Sequence, residues 1–386
     1  MVEDEEEGTA SARSSSSAGA APSLSSNSKA RGFIEGKRVA FQIIPTAMAQ
    51  PPQTNAVRRV AAVVLGLLLV VTSLQLSLAS NITKLPTETL QWFANPDNLN
   101  SDQLPPGLEN WDPSSYIETA IPVLAGVILV QVAHETGHRL AAGMRGVKLG
   151  PSYFIPFSQV GSFGAITPFT SIVKDYKDMW DVAAAGPLAG AMASVAMLAI
   201  GLVQSKTGAD VATSATDASV AFQAASALIP VPTSLFQGSL LLGSVTRFVL
   251  GQSALQGSSV LLSPLVIAGW VGCITTALNL LPLGSLDGGR MVQAAYGRKS
   301  LSLASFFSYL GLGLGLLGST LALPFGLYVI ITQRTAEKYI RDSVSTAGQE
   351  REAATLVALL TAILVLLPLA PELAASLGVG STNPFI

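Results

Sequence analysis

Residues 60–79 form an unbroken run without a single charged side chain, and most of them are apolar. As a helix at 1.5 Å per residue, about 20 residues extend roughly 30 Å, the thickness of the hydrocarbon core of a bilayer. Four further stretches, 120–142, 182–203, 262–283 and 354–369, are nearly free of charge and are read the same way. Residues 301–331 would extend roughly 45 Å as one helix, too far for one upright crossing. Gly-rich sequence and Pro324 interrupt them, so they are read as a tight helical hairpin. Composition points the same way: 49% of the 386 residues are apolar and 12% are charged, which places the chain in the membrane class. A net charge of −2 leaves no basic excess for a nucleic-acid partner.

The expected architecture is an all-α polytopic membrane protein in two parts. Residues 1–56 are a disordered N-terminal tail, in which an acidic run from Glu3 to Glu7 passes into Ser/Ala/Gly-rich sequence with too little apolar area to fold. The Ser-rich part fits an organelle-targeting peptide and the acidic run does not. Residues 57–386 are the multi-pass membrane domain. Arg58 and Arg59 precede the first span, and the loop after it carries Glu88, Asp97, Asp102, Glu109 and Asp112 against Lys84 alone. By the positive-inside rule the N-terminus faces the cytoplasm-like side and that loop the opposite one. The second span returns to end beside Arg139, Arg145 and Lys148. With 235–250 dipping in without crossing, the run 262–283 reaches the same side and delivers Asp287 there.

The chain has two histidines, and both stand in His134-Glu135-Thr136-Gly137-His138 near the end of the second span. Residues four apart on a helix differ by only about 40° in direction, so both imidazoles can face one metal ion. HExxH is the zincin spacing, with the intervening Glu beside the metal as general base. Ionisable groups inside a membrane helix are expensive, so the cluster asks for a function rather than for packing alone. A catalytic zinc takes three protein ligands and keeps one position open. With no third histidine, the remaining ligand is expected to be a carboxylate. Asp287 is the candidate, because it follows a span and Gly288 and Gly289 permit a close turn that aims it inward. Asp-Gly-Gly is equally good chemistry for a plain interfacial turn.

Residues 149–169 are rich in β-formers, Gly and Pro, with Phe154, Phe157, Phe163 and Phe169 spread along them. They read as a short membrane-dipping β-hairpin or loop, either adding a strand to an extended substrate or serving as a gate or packing loop. Gly186-Pro187-Leu188-Ala189-Gly190 reads as the opening of the third span, where Pro is tolerated and Gly lets helices approach.

With Asn279-Leu280-Leu281-Pro282-Leu283-Gly284-Ser285-Leu286-Asp287-Gly288-Gly289, the HExxH motif makes the sequence resemble the site-2 proteases, a family of intramembrane zinc metalloproteases. The resemblance implies a site-2 protease-like transmembrane helix core with Zn2+ held by His134, His138 and Asp287. It also implies Glu135 as the catalytic base and Asn279 as a residue that helps hold substrate or oxyanion. From about Val60 onward the sequence is similar to a chloroplast group of that family, named for ethylene-dependent gravitropism-deficient and yellow-green mutants, and to its cyanobacterial relatives. Tyr153-Phe154-Ile155-Pro156, the run from Gly161 to Thr167, Ala185 to Gly190, Leu235 to Ser239 and Leu283 to Arg290 carry that likeness. Leu280 stands where many bacterial members have proline, and the group's GNREAE signature does not occur in this sequence.

The implied function is hydrolysis of peptide bonds in transmembrane substrate proteins, inside the lipid bilayer of a chloroplast membrane. The thylakoid is expected, or a cyanobacterial-type membrane if the source is a prokaryote. Two other readings compete: a catalytically silent, chaperone-like family member, and a polytopic transporter. A transporter predicts internal repeats and polar groups spread along a pathway. No repeat is visible, the polar residues gather into two motifs, and HExxH is intact.

Overall fold

The computed structural model describes residues 50–100, 103–251, 253–315, 319–369 and 376. The expected disordered tail lies, up to residue 49, outside the described residues. The first helix, α1 (Ala56–Ser80), opens on Asn55, whose side chain accepts the Arg58 N–H at 2.9 Å. It turns Val60, Val63, Val64, Leu67 and Val71 outward, as suits a helix surrounded by lipid. Its protein-facing side buries Leu69 and two small polar residues: Ser73 and Ser77 are fully buried, and Ser77 Oγ donates to the Ala120 carbonyl of the next long helix.

A short α2 (Thr87–Ala94) precedes α3 (Ser114–Arg145), which runs for 32 residues to a left-handed C-cap at Gly146, φ 66°. Next, β1 (Tyr153–Phe157) and β2 (Gly161–Ile166) pair antiparallel. A brief β3 (Val173–Asp175) leads into α4 (Tyr176–Ser214), capped by the Asp175 carboxylate on the Asp178 N–H. Then α5 (Ala218–Ser226), β4 (Ile229–Pro232), α6 (Leu240–Leu250) and β5 (Ser259–Leu262) lead to α7 (Pro264–Asn279). The chain continues through α8 (Asp287–Gly315), interrupted at Gly297, and α9 (Ala322–Thr332). Last come β6 (Ile340–Asp342) and α10 (Gln349–Leu366). Buried almost from end to end, α7 forms the centre against which α3, α4 and α10 pack.

Three of these helices, α1, α3 and α4, are long and apolar enough to cross a membrane among the described residues. The expected span at 262–283 is helical for only 16 residues, about 24 Å. Residues 280–286 are irregular, yet Leu283 and Leu286 stay buried, so this backbone is wrapped in protein. The expected hairpin at 301–331 is divided between α8 and α9.

Two expectations need correction. The chain is mostly helical rather than all-α: besides the β1–β2 pair, β3 pairs with β6 in parallel and β4 with β5 antiparallel. These strands are three or four residues long, too short to leave an alternating pattern in the sequence. Pro187 lies inside α4 rather than in its first turn. The helix begins upstream at Tyr176, through Lys177, Asp178 and Asp181, whose charges hide it from a search for apolar spans.

Candidate metal centre

Successive turns of α3 present His134 and His138 on one face, where α4 crosses close by. A Cβ on Gly137 would sit 2.4 Å from the Ala185 carbonyl oxygen of α4. A Cβ on Gly186 would sit 2.2 Å from His138 Nε2, so this glycine makes room for an imidazole as well as for helix packing. One turn earlier on α4, the Val182 carbonyl accepts the His138 Nδ1–H at 2.8 Å. That bond sets the tautomer and leaves the Nε2 lone pair facing inward, where His134 Nε2 lies 3.0 Å away.

Asp287 opens α8 at the end of the irregular segment. The glycine that turns the chain is Gly284, φ 46°, where a Cβ would lie 1.4 Å from the Gln333 carbonyl oxygen. Gly288 serves close approach instead, since a Cβ there would meet the Leu280 carbonyl oxygen at 1.8 Å. The turn expected from Asp-Gly-Gly is therefore set before Asp287, and the two glycines after it are helical. Asp287 Oδ2 lies 3.0 Å from His134 Nε2 and 3.3 Å from His138 Nε2. The three donor atoms lie within 4.8 Å of one another, and the residues are only 6%, 4% and 7% exposed for His134, His138 and Asp287. Two imidazole nitrogens and one carboxylate oxygen form a donor set able to hold a metal ion.

Glu135 is buried beside them. Its Oε2 accepts from Thr167 Oγ1 at 2.8 Å and from Ser152 Oγ. Its Oε1 is buried with no hydrogen-bond partner among the described residues. Such an orphan calls for a group the structure does not contain, and a water activated by a metal is one that fits. Asn279 is elsewhere employed: its Nδ2 donates to the Phe163 carbonyl at 2.9 Å and to the Thr275 carbonyl at 2.8 Å. Both amide hydrogens are used, and they tie β2 to α7.

Several residues of the site have partners that the sequence does not mark. Ser152, Thr167 and the Val182 carbonyl act through contacts made only by tertiary folding. Arg290 is buried, with Nη1 and Nη2 each 3.3 Å from the Thr167 carbonyl, Nη2 3.3 Å from Glu337 and its guanidinium 4.4 Å above the Phe169 ring. It stands three residues after Asp287, one helical turn along α8, and closes the run from Leu283 that carries the family likeness.

A model of Peptidase family M50 matches residues 122–317, more than half of the chain. The chain belongs to that family. His134, Glu135, His138, Asn279 and Asp287 all fall within the M50 match. This M50 chain is 43% identical over 359 residues, 93% of its length, to "Probable zinc metalloprotease EGY1, chloroplastic" of Oryza sativa subsp. japonica. It is 43% identical over 350 residues, 91% of its length, to the protein of the same name from Arabidopsis thaliana. A stretch of 176 residues, 46% of the chain, is 50% identical to 10% of "DDT domain-containing protein PTM" of Arabidopsis thaliana. The M50 chain covers 59% and 60% of the two EGY1 relatives, so it spans about three fifths of their length. No solved structure matches it.

Proposed function

We infer that this M50 chain is a zinc metalloprotease that hydrolyses peptide bonds of transmembrane substrate proteins. The observation that carries the reading is the convergence of His134 Nε2, His138 Nε2 and Asp287 Oδ2 beside a buried carboxylate with one unpartnered oxygen. The names of the EGY1 relatives support both the metal and the activity. Two imidazoles and a carboxylate suit Zn2+ and leave a fourth position open. Bound by His134, His138 and Asp287, zinc would supply Lewis acidity toward water and a scissile carbonyl.

The remaining work falls to the chain's own residues. Glu135 Oε1 accepts the proton of the attacking water and then delivers it to the departing amide nitrogen. His138 is held in its productive tautomer by Val182. Asn279 would reach an oxyanion only by releasing Phe163 or Thr275. Its role in this reading is to keep β2 in place beside the site. The burial of His134, Glu135, His138 and Asp287 keeps bulk water away from the reacting atoms.

The same reading places the protein in a chloroplast membrane, by the names of the relatives and the three apolar helices. We assign it to the thylakoid as a multi-pass protein of residues 57–386, preceded by the tail 1–56, with β1–β2 dipping into the bilayer. Its partners are then transmembrane proteins and the surrounding lipid.

The decisive test uses the full chain in proteoliposomes with a labelled single-span peptide. Wild type cleaves the peptide and Glu135→Gln does not, while both retain about one zinc per chain, because Glu135 is no ligand. Cleavage by Glu135→Gln sinks the assignment. Membrane proteomics of cells carrying either form then names natural substrates as the fragments that disappear.

A further inference from the structure

The two hydroxyls that grip Glu135 come from opposite strands of one hairpin. Ser152 stands immediately before β1 and Thr167 immediately after β2, next to the paired residues Tyr153 and Ile166. The open end of the hairpin therefore meets α3 at Glu135. Both hydroxyls donate to the same oxygen, Oε2. Each is also fixed from behind. Arg139 Nη2 donates to Ser152 Oγ at 2.8 Å, which leaves the serine proton for the carboxylate. The Thr167 carbonyl takes both Nη groups of Arg290, each at 3.3 Å.

A free carboxylate offers two equivalent oxygens and rotates between them. Two charge-assisted donors on one oxygen remove that equivalence, because any rotation breaks both bonds. Oε2 is thus saturated and Oε1 is left as the only oxygen able to take a proton. We propose that Ser152 and Thr167 are positioning residues, a two-hydroxyl clamp that selects Oε1 of Glu135 as the base. The proposal rests on the protease reading and adds to it the part of the chain that aims the base.

Loss of the clamp lowers kcat rather than raising KM, since Glu135 remains present but is misaimed. In proteoliposomes with the labelled single-span peptide, Thr167→Val and Ser152→Ala each lower kcat about tenfold, and the double variant lowers it about a hundredfold, with KM changed less than about twofold. Thr167→Ser and Ser152→Thr, which keep a donor, restore kcat to within about threefold of wild type. Zinc content and thermal unfolding midpoint are measured on every variant and stay at the wild-type level. A double variant with wild-type kcat overturns the clamp, as does an equal loss in Thr167→Ser, or a loss that tracks zinc content or unfolding. The two readings fail separately. Cleavage by Glu135→Gln, or none by wild type, overturns the protease reading and the clamp with it, whereas an inert Glu135→Gln beside a fully active double variant overturns the clamp alone.

Discussion

The two halves of the site are built in opposite ways. On the imidazole side, His134 and His138 belong to one continuous helix, and their alignment follows from helix geometry before any tertiary contact forms. On the carboxylate side, Asp287 and the hydroxyls of Ser152 and Thr167 arrive from three separate segments, each held by long-range contacts. The helical half can be written in five consecutive residues, whereas the other half needs the whole fold. It follows that substitutions on α3 or its ligands should act through the metal, and substitutions in the supporting segments through alignment.

The largest effect tests the donor set itself, with one ligand taken from each half. His138→Ala and Asp287→Asn each remove a donor from a three-residue set, and zinc content measured on the purified full chain falls from about one per chain to below about a tenth. Chelation of wild type does the same, and adding zinc restores cleavage to the chelated wild type only. Zinc retained at full occupancy by both variants would break the three-donor centre itself.

Gly186→Ala comes next and sharpens the contrast, because it alters no ligand. Its new methyl would stand 2.2 Å from His138 Nε2, so the imidazole or α4 must move. Zinc affinity falls about 10- to 100-fold, the range seen when groups that orient a metal ligand are disturbed. Unchanged affinity would mean that α4 shifts freely against α3, contrary to the close crossing at Gly137 and Ala185.

What the sequence made legible follows the same division. HExxH stood out because the chain's two histidines share one apolar helix, and Asp287 because an acid directly follows a span. The support stayed hidden. A serine or threonine carries no signature of its acceptor, and Asn279, expected from the resemblance to hold substrate or oxyanion, gives no sign in the sequence of its bonds to the Phe163 and Thr275 carbonyls. The end of α7 was invisible because Leu280, Leu281 and Leu283 continue the apolar run past the last helical residue, Asn279. The stop comes from Pro282, which cannot continue a helix, and from Gly284, which turns the chain at φ 46°. Asn279→Ala probes this half directly, since it leaves the Phe163 carbonyl buried without its donor. A loss of about 1–3 kcal/mol of stability is expected, with zinc content unchanged once folded.

The smallest effect lies at the periphery, where α10 docks through charge rather than through the site. Arg351 Nε and Nη2 reach the two oxygens of Asp181 at 2.8 and 3.1 Å, and Asp181 also receives Arg145 from the end of α3. Arg351→Ala removes one of two cations from that carboxylate, and the pair is partly solvent-exposed, so the cost is about 1 kcal/mol or less. Arg351→Lys keeps the charge but loses the two-pronged fit and recovers only part of the loss. Both variants should show a small drop in unfolding temperature with zinc content and cleavage intact. Zinc loss in Arg351→Ala would instead couple α10 to α3 through Asp181 and Arg145, and the separation between a locally encoded imidazole half and the rest of the molecule would fail at that bridge.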